Sequence, residues 1–96
     1  MRTRAAAEDD PPGAVEIVAE VGKRCVGSVV CWRESANIFY CTRLFVQPEF
    51  RKRCIGRSLI MACEEHARAH NATIRVTVAE NNLGARAFFG ALGFRL

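Results

Sequence analysis

Leu44-Phe45-Val46-Gln47-Pro48-Glu49-Phe50-Arg51-Lys52-Arg53-Cys54-Ile55-Gly56-Arg57-Ser58-Leu59 is the stretch on which the fold turns. Leu44-Phe45-Val46 closes an apolar run, Pro48 stops it, and Arg51-Lys52-Arg53 form a short basic loop. From Ile55 the spacing becomes helical: Ile55, Leu59, Cys63 and Ala67 stand at i, i+4, i+8 and i+12, and Ile60 widens the stripe. A strand therefore feeds a helix through a basic loop. The first turn of that helix carries unpaired N–H groups and the positive end of the macrodipole, which suits an anion. Gly56 leaves room for a ligand to touch the backbone, and the neighbouring cations add charge. A diphosphate matches this description, although on charge alone a solvated basic loop does too.

Upstream, residues 1–13 open on small and charged residues and end in Asp10-Pro11-Pro12-Gly13, which reads as a loose tail before a domain over 14–96. Val15, Ile17, Ala19 and Val21 then alternate as a strand. Gly22-Lys23 turns the chain into a second β-branched run from Arg24 to Trp32. The third run, Ile38 to Val46, is apolar and aromatic almost throughout, as in a strand covered on both faces. Downstream, Thr73-Ile74-Arg75-Val76-Thr77-Val78 alternates again. Asn82 to Leu92 then puts Ala85, Phe88, Phe89 and Leu92 on one helical face, and Gly93 stops it. The order is β-β-β-α-β-α. It implies an α+β (α/β-like) domain with a mixed sheet of about four strands, in which a right-handed crossover joins a parallel pair.

Two blocks of this pattern resemble the GNAT acyltransferase superfamily. Its signature Arg/Gln-x-x-Gly-x-Gly/Ala, preceded by Val-x-Pro-Glu-Tyr/Phe, is similar to Val46-Gln47-Pro48-Glu49-Phe50-Arg51-Lys52-Arg53-Cys54-Ile55-Gly56-Arg57. Its second motif, Asn-x-x-Ala-x-x-Phe/Leu-Tyr-x-x-x-Gly-Phe, is similar to the run from Asn82 to Phe94. The resemblance implies an acyl-coenzyme A site. Backbone groups of Arg51, Lys52, Arg53, Cys54, Ile55, Gly56 and Arg57 would hold the pyrophosphate. Leu44 and Val46 would face the pantetheine and the acyl carbonyl, and Asn82 and Phe89 would lie along the pantetheine arm. It implies acetyl-CoA as cosubstrate, an amine acceptor (a small molecule or a protein), direct attack on the thioester and no metal.

The chain also departs from the family pattern. Cys54 replaces the first signature glycine, and a positive φ there would cost roughly 1–2 kcal/mol. Beside Arg51, Lys52, Arg53 and a helix start, Cys54 is also the cysteine whose setting favours reactivity. Phe89 stands where the family's frequent general acid, a tyrosine, would be. Water is one substitute; Tyr40, on the strand expected to present Thr42, Leu44 and Val46 on the same face, is the other. His66 and His70 read as surface residues. Full family members also have helices before the hairpin and strands after Gly-Phe, so the resemblance is to a core without them, or to a fragment of a longer product. Sheet edges left open invite a second copy or a partner.

Bulk composition narrows the classes. With 96 residues the chain fits one domain. No apolar run approaches a membrane span and no secretory core follows Met1, so the expectation is a soluble, intracellular protein, cytoplasmic or nuclear. Five cysteines at irregular spacing give neither a disulfide framework nor a zinc pattern; Cys25, Cys31, Cys41 and Cys63 fall in apolar stretches and read as small hydrophobes. A net charge of +4, partly concentrated in one loop, argues for a local anion site over nucleic-acid binding. Two readings remain at this stage: an N-acetyltransferase, or a cofactor-binding module of the same fold with impaired catalysis.

Overall fold

The computed structural model describes residues 1–5 and 10–95. One sheet contains β1 (Arg2–Ala5), β2 (Val15–Val21), β3 (Arg24–Ser35), β4 (Ile38–Val46) and β5 (Thr73–Val76), side by side in that order. β1 to β4 are antiparallel neighbours. β5 lies parallel to β4 after the crossover through α1 (Ile55–Arg68), and α2 (Leu83–Ala91) follows. The α+β class, the hairpin at Gly22 (φ 63°) and the element order from β2 onward agree with the sequence reading.

The expectation of a loose tail is corrected at its beginning. Arg2–Ala5 pairs with Val15–Val18 and makes a fifth strand. This strand has no apolar alternation for a sequence reading to catch. Its ladder is reinforced from a distance, by Arg2 on Glu20 and Arg4 on Glu16. The part of the expected tail over residues 6–9 lies outside the described residues. The last strand is also shorter than its alternating pattern, ending at Val76 rather than Val78.

α1 covers one face of the sheet. Ile17, Ala19, Val26, Val29, Cys31 and Cys41 meet Leu59 and Cys63 there, and Ile74 and Val76 of β5 pack against the same cluster. The predicted stripe of α1 is the face it buries, with Leu59, Ile60, Cys63 and Ala67 all inside. Gly27 lets the helix start come this close. A Cβ there would lie 2.8 Å from the Phe45 carbonyl oxygen and 3.2 Å from Leu59. Three of the four cysteines read as hydrophobes, Cys31, Cys41 and Cys63, are buried in this core, while Cys25 is half-buried. Hydrogen bonding to Cys41 and Cys63 draws Cys31 down; bonding to Cys31, with burial, pushes Cys41 up against the opposing pull of Cys63, and bonding to both partners, with burial, pushes Cys63 up.

β4 is not covered on both faces as expected. Phe39 and Cys41 are buried, Tyr40 and Thr42 are half-buried, and Arg43 and Phe45 are exposed. Beyond Thr42 a bulge at Arg43 also changes which residues face inward. Ser28 pairs with Phe45 and Val30 with Thr42, so β4 has one residue more than β3 between those rungs, and Arg43 takes φ 53° to fit. Odd-numbered Phe39 and Cys41 face α1 before the bulge, but even-numbered Leu44 and Val46 pack toward α1 after it. Tyr40 and Thr42 are therefore on the opposite face from Leu44 and Val46, contrary to the sequence reading.

Candidate functional site

The loop between β4 and α1 is held from both sides. The Gln47 N–H donates to the Val26 carbonyl at 2.8 Å, and its side-chain amide donates to the Cys25 carbonyl at 3.0 Å. Pro48–Phe50 then makes one 3-10 turn, closed by the Phe50 N–H on the Gln47 carbonyl. Arg24 reaches across from β3 to Gln47 at 2.6 Å and to Glu49 at 3.1 Å. A backbone hydrogen bond at Glu49, followed by the bond from Arg24, holds its carboxyl below the usual range. The guanidinium groups of Arg24 and Arg53 both stack on Phe50, 5.4 and 5.3 Å from the ring centre.

Beyond this anchored part the backbone turns left-handed twice, at Lys52 (φ 63°) and at Cys54 (φ 62°, ψ 16°), which is the N-cap of α1. Turns of this kind aim successive N–H groups into one concavity. The Cys54 side chain makes no capping bond, and the Ser58 N–H is the first to join the helix ladder, on the Cys54 carbonyl. Among the described residues, the backbone N–H groups from Lys52 to Arg57 have no partner. Lys52, Arg53 and Arg57 are exposed around them. Arg51 points elsewhere, its Nε donating to the Val46 carbonyl at 3.2 Å, so that carbonyl already has a donor.

The second element is the gap beside β4. Its pairing with β5 runs from Ile38 opposite Thr73 to Cys41 opposite Val76 and stops there. From Thr42 to Val46 the backbone edge of β4 that faced β5 has no strand partner among the described residues. The two strands part next to the bulge, and Leu44 and Val46 border the opening.

α2 closes this region from the other side. Asn82 is its N-cap, and its Oδ1 accepts from the Ala85 N–H at 3.1 Å. The C-terminal end is equally well finished: the Gly93 N–H donates to Gly90, the Phe94 N–H to Phe89, and Gly93 takes φ 93°. Phe89, in place of the expected tyrosine, stacks edge-on against Phe88 at 5.0 Å and Phe94 at 5.3 Å. It is Phe88 that meets α1. The missing Cβ of Gly56 would lie 3.2 Å from its ring and 3.7 Å from Val46. Gly56 thus admits a neighbouring aromatic ring as well as leaving the loop backbone open.

The structure gathers the residues from Arg51 to Arg57 with Val46 and Gly56 at one end of the sheet, and leaves Tyr40 out of that group. Tyr40 stacks on Trp32 at 5.1 Å, and its hydroxyl is hydrogen-bonded to Thr77. His70 is exposed, as read, and His66 is half-buried; both rings also lie against Phe39, at 5.3 and 5.4 Å. Sequence reasoning missed Arg24, Gln47 and Phe88 as parts of this region. Gln47 and Phe88 lie within the motif blocks, but Arg24 is on another strand with no local signal. Two cavities, of about 360 and 270 Å³, lie away from the loop along β5, walled by Thr73, Ile74 and Phe94. No group of residues that could hold a metal ion occurs among the described residues, and no helix there is long and apolar enough to cross a membrane.

Residues 2–94 match the Acetyltransferase (GNAT) family. An uncharacterized N-acetyltransferase of Methanocaldococcus jannaschii is 38% identical over 87 residues, covering 80% of this chain and 37% of that protein. Among solved structures, the aminoglycoside N-acetyltransferase AAC(6')-Iy, bound to the bisubstrate analogue CoA-S-monomethyl-acetylneamine, shares the fold with TM-score 0.80 at 18% identity. That match covers 90% of this chain and 65% of the other. Ard1 of Thermoplasma volcanium matches with TM-score 0.77 at 26% identity, over 82% of this chain and 54% of its own. The chain thus spans little more than a third of its curated relative and less than two thirds of these solved chains.

Proposed function

The chain belongs to the acetyltransferase (GNAT) family, and from that premise we propose that it binds acetyl-coenzyme A and transfers the acetyl group to an amine. The observation that carries the reading is the set of unpartnered N–H groups from Lys52 to Arg57 at the start of α1, ringed by cations. Fixed donors of this kind suit the two phosphates of the cosubstrate, and they need no reorganisation to receive them. In this reading the opening beside Leu44 and Val46 takes the pantetheine arm, and the free side-chain amide hydrogens of Asn82 border its path. The Oδ1 of Asn82 is committed to capping α2. AAC(6')-Iy was solved with a coenzyme A conjugate on the same fold, which supports this assignment.

The reaction is direct transfer. The lone pair of a neutral amine attacks the thioester carbonyl carbon, the C–N bond forms, and the C–S bond breaks with its electrons leaving on sulfur. The proton lost by nitrogen passes through water to the thiolate, since Phe89 has none to give. A backbone N–H of the unpaired β4 edge would polarise the carbonyl as negative charge develops on its oxygen. No metal enters the proposed mechanism.

Calorimetric titration tests the reading at its base: saturable binding of acetyl-coenzyme A is expected, and no heat up to millimolar cosubstrate would sink it. Release of free thiol in the presence of an amine library then separates a transferase from a binding module. Phe89 packed between two phenylalanines is the observation that favours the second reading, binding without efficient turnover. Phe89→Tyr should raise turnover by on the order of 10²-fold if a missing acid limits the rate. An unchanged rate would remove that explanation.

A further inference from the structure

The face of the sheet turned away from α1 carries a row of three side chains. Trp32 of β3 pairs with Tyr40 of β4, and Tyr40 pairs with Arg75 of β5, so all three stand side by side on that face. Trp32 and Tyr40 are half-buried and stacked with 29° between their rings. The Tyr40 hydroxyl is held by Thr77, the first residue after β5. α1 lies on the other face, and Phe88 ties α2 to the start of α1. Arg75 is exposed and has no ion-pair or hydrogen-bond partner among the described residues.

The charges on this face are sorted. The two carboxylates that β2 places here, Glu16 and Glu20, are each engaged by an arginine of β1. The cation beside the stacked rings has no counter-ion. A polycationic amine would meet Arg75 with no β2 carboxylate free to attract it. A ligand with a flat ring and an anionic group would find a stacking surface and a guanidinium suited to bidentate pairing. The row also stands at the right place along the strands. Tyr40 and Cys41 are in the last rungs before β4 and β5 part, and Thr42, next on the same face, leads to Leu44 at a rise of about 3.3 Å per residue.

We propose that this row is the acceptor platform, and that the acceptor is a free amino acid or similar small amine carrying both an aromatic ring and a carboxylate. The ring lies against Trp32 and Tyr40, the carboxylate pairs with Arg75, and the amine projects toward the opening where the acetyl carbonyl lies. The inference rests on the acetyl-transfer reading above and adds the class of acceptor. Tyr40 acts here through its ring and not as a proton donor.

The test uses the whole chain, acetyl-coenzyme A and three acceptors: phenylalanine, its decarboxylated counterpart phenethylamine, and the polycation spermidine. The expected result is a kcat/KM for phenylalanine at least tenfold above the other two. Arg75→Gln should erase the preference, and Arg75→Glu should reverse it in favour of the amines without a carboxylate. Trp32→Leu should raise the KM for phenylalanine about tenfold while the Kd of acetyl-coenzyme A, read by calorimetry, stays put. That Kd also reports a folding failure in any variant. If acetyl-coenzyme A binds but phenethylamine or spermidine serves as well as phenylalanine, if none of the three is acetylated, or if Arg75→Gln changes nothing, the platform is wrong and the cofactor reading stands. If acetyl-coenzyme A does not bind, the underlying reading fails first.

Discussion

The two helices begin in opposite ways. At α2 the side chain of Asn82 turns back on the helix and satisfies the Ala85 N–H, leaving a finished end. At α1 the N-cap is Cys54, strained into the left-handed region with no side-chain acceptor offered, and the N–H groups around it stay open. An N-cap side chain is worth about 1 kcal/mol to a helix, so leaving α1 without one is a local cost. The contrast teaches that stability and binding make opposite demands on the same atoms. A capped end has used its donors, whereas an open end keeps them for a ligand. The packing behind α1 compensates: its buried stripe and the contact at Gly27 hold the helix while its first turn goes unsatisfied.

Four changes press on that contrast. The largest should come from Gly27→Ala, which drives a methyl group against the Phe45 carbonyl and Leu59 and so displaces the open end itself. A loss of about 1–3 kcal/mol in urea unfolding is expected, with weakened acetyl-coenzyme A binding. Next, Asn82→Ala should cost about 1 kcal/mol, because it removes a cap that is in use. Cys54→Gly should stabilise the fold by up to about 1 kcal/mol by relieving the positive φ, and should tighten cosubstrate binding. Tighter folding with unchanged affinity would show that the strained loop and the ligand are uncoupled. The smallest effect belongs to Cys54→Ala, within about 0.5 kcal/mol of the parent, since no capping bond is lost. A loss matching that of Asn82→Ala would contradict the contrast.

Thiol labelling offers a separate check on the core. Cys54 is exposed and should react at once with a small maleimide, whereas Cys31, Cys41 and Cys63 should react only as the fold opens. Equal labelling rates for all four would mean that the sheet and α1 are not closed around the sulfur cluster.

What could be read in advance follows from range. The stripe Leu59, Cys63, Ala67 and the hairpin at Gly22 announce themselves through spacing and a residue suited to its backbone, so α1 and the β2–β3 turn were legible. The phosphate loop was legible through its motif. β1 was not, because its support comes from Glu16 and Glu20 across the chain and not from any pattern in Arg2–Ala5. Arg24 was invisible for the same reason. The Arg43 bulge escaped because an arginine with positive φ carries no local mark. That one omission placed Tyr40 with the wrong partners.

The Arg43 bulge behaves like a frameshift written into a strand. Side chains before it are read on one phase and those after it on the other, so straightening the strand at position 43 with every residue kept would exchange the faces of Leu44, Phe45 and Val46, whereas deleting that residue would leave all three where they are. A relative of equal length that lacks the bulge would then present the residue aligned with Phe45 to the interior and the one aligned with Leu44 to solvent. Its resemblance in letters would conceal an inverted surface, and alignments across β4 should be judged by phase before identity.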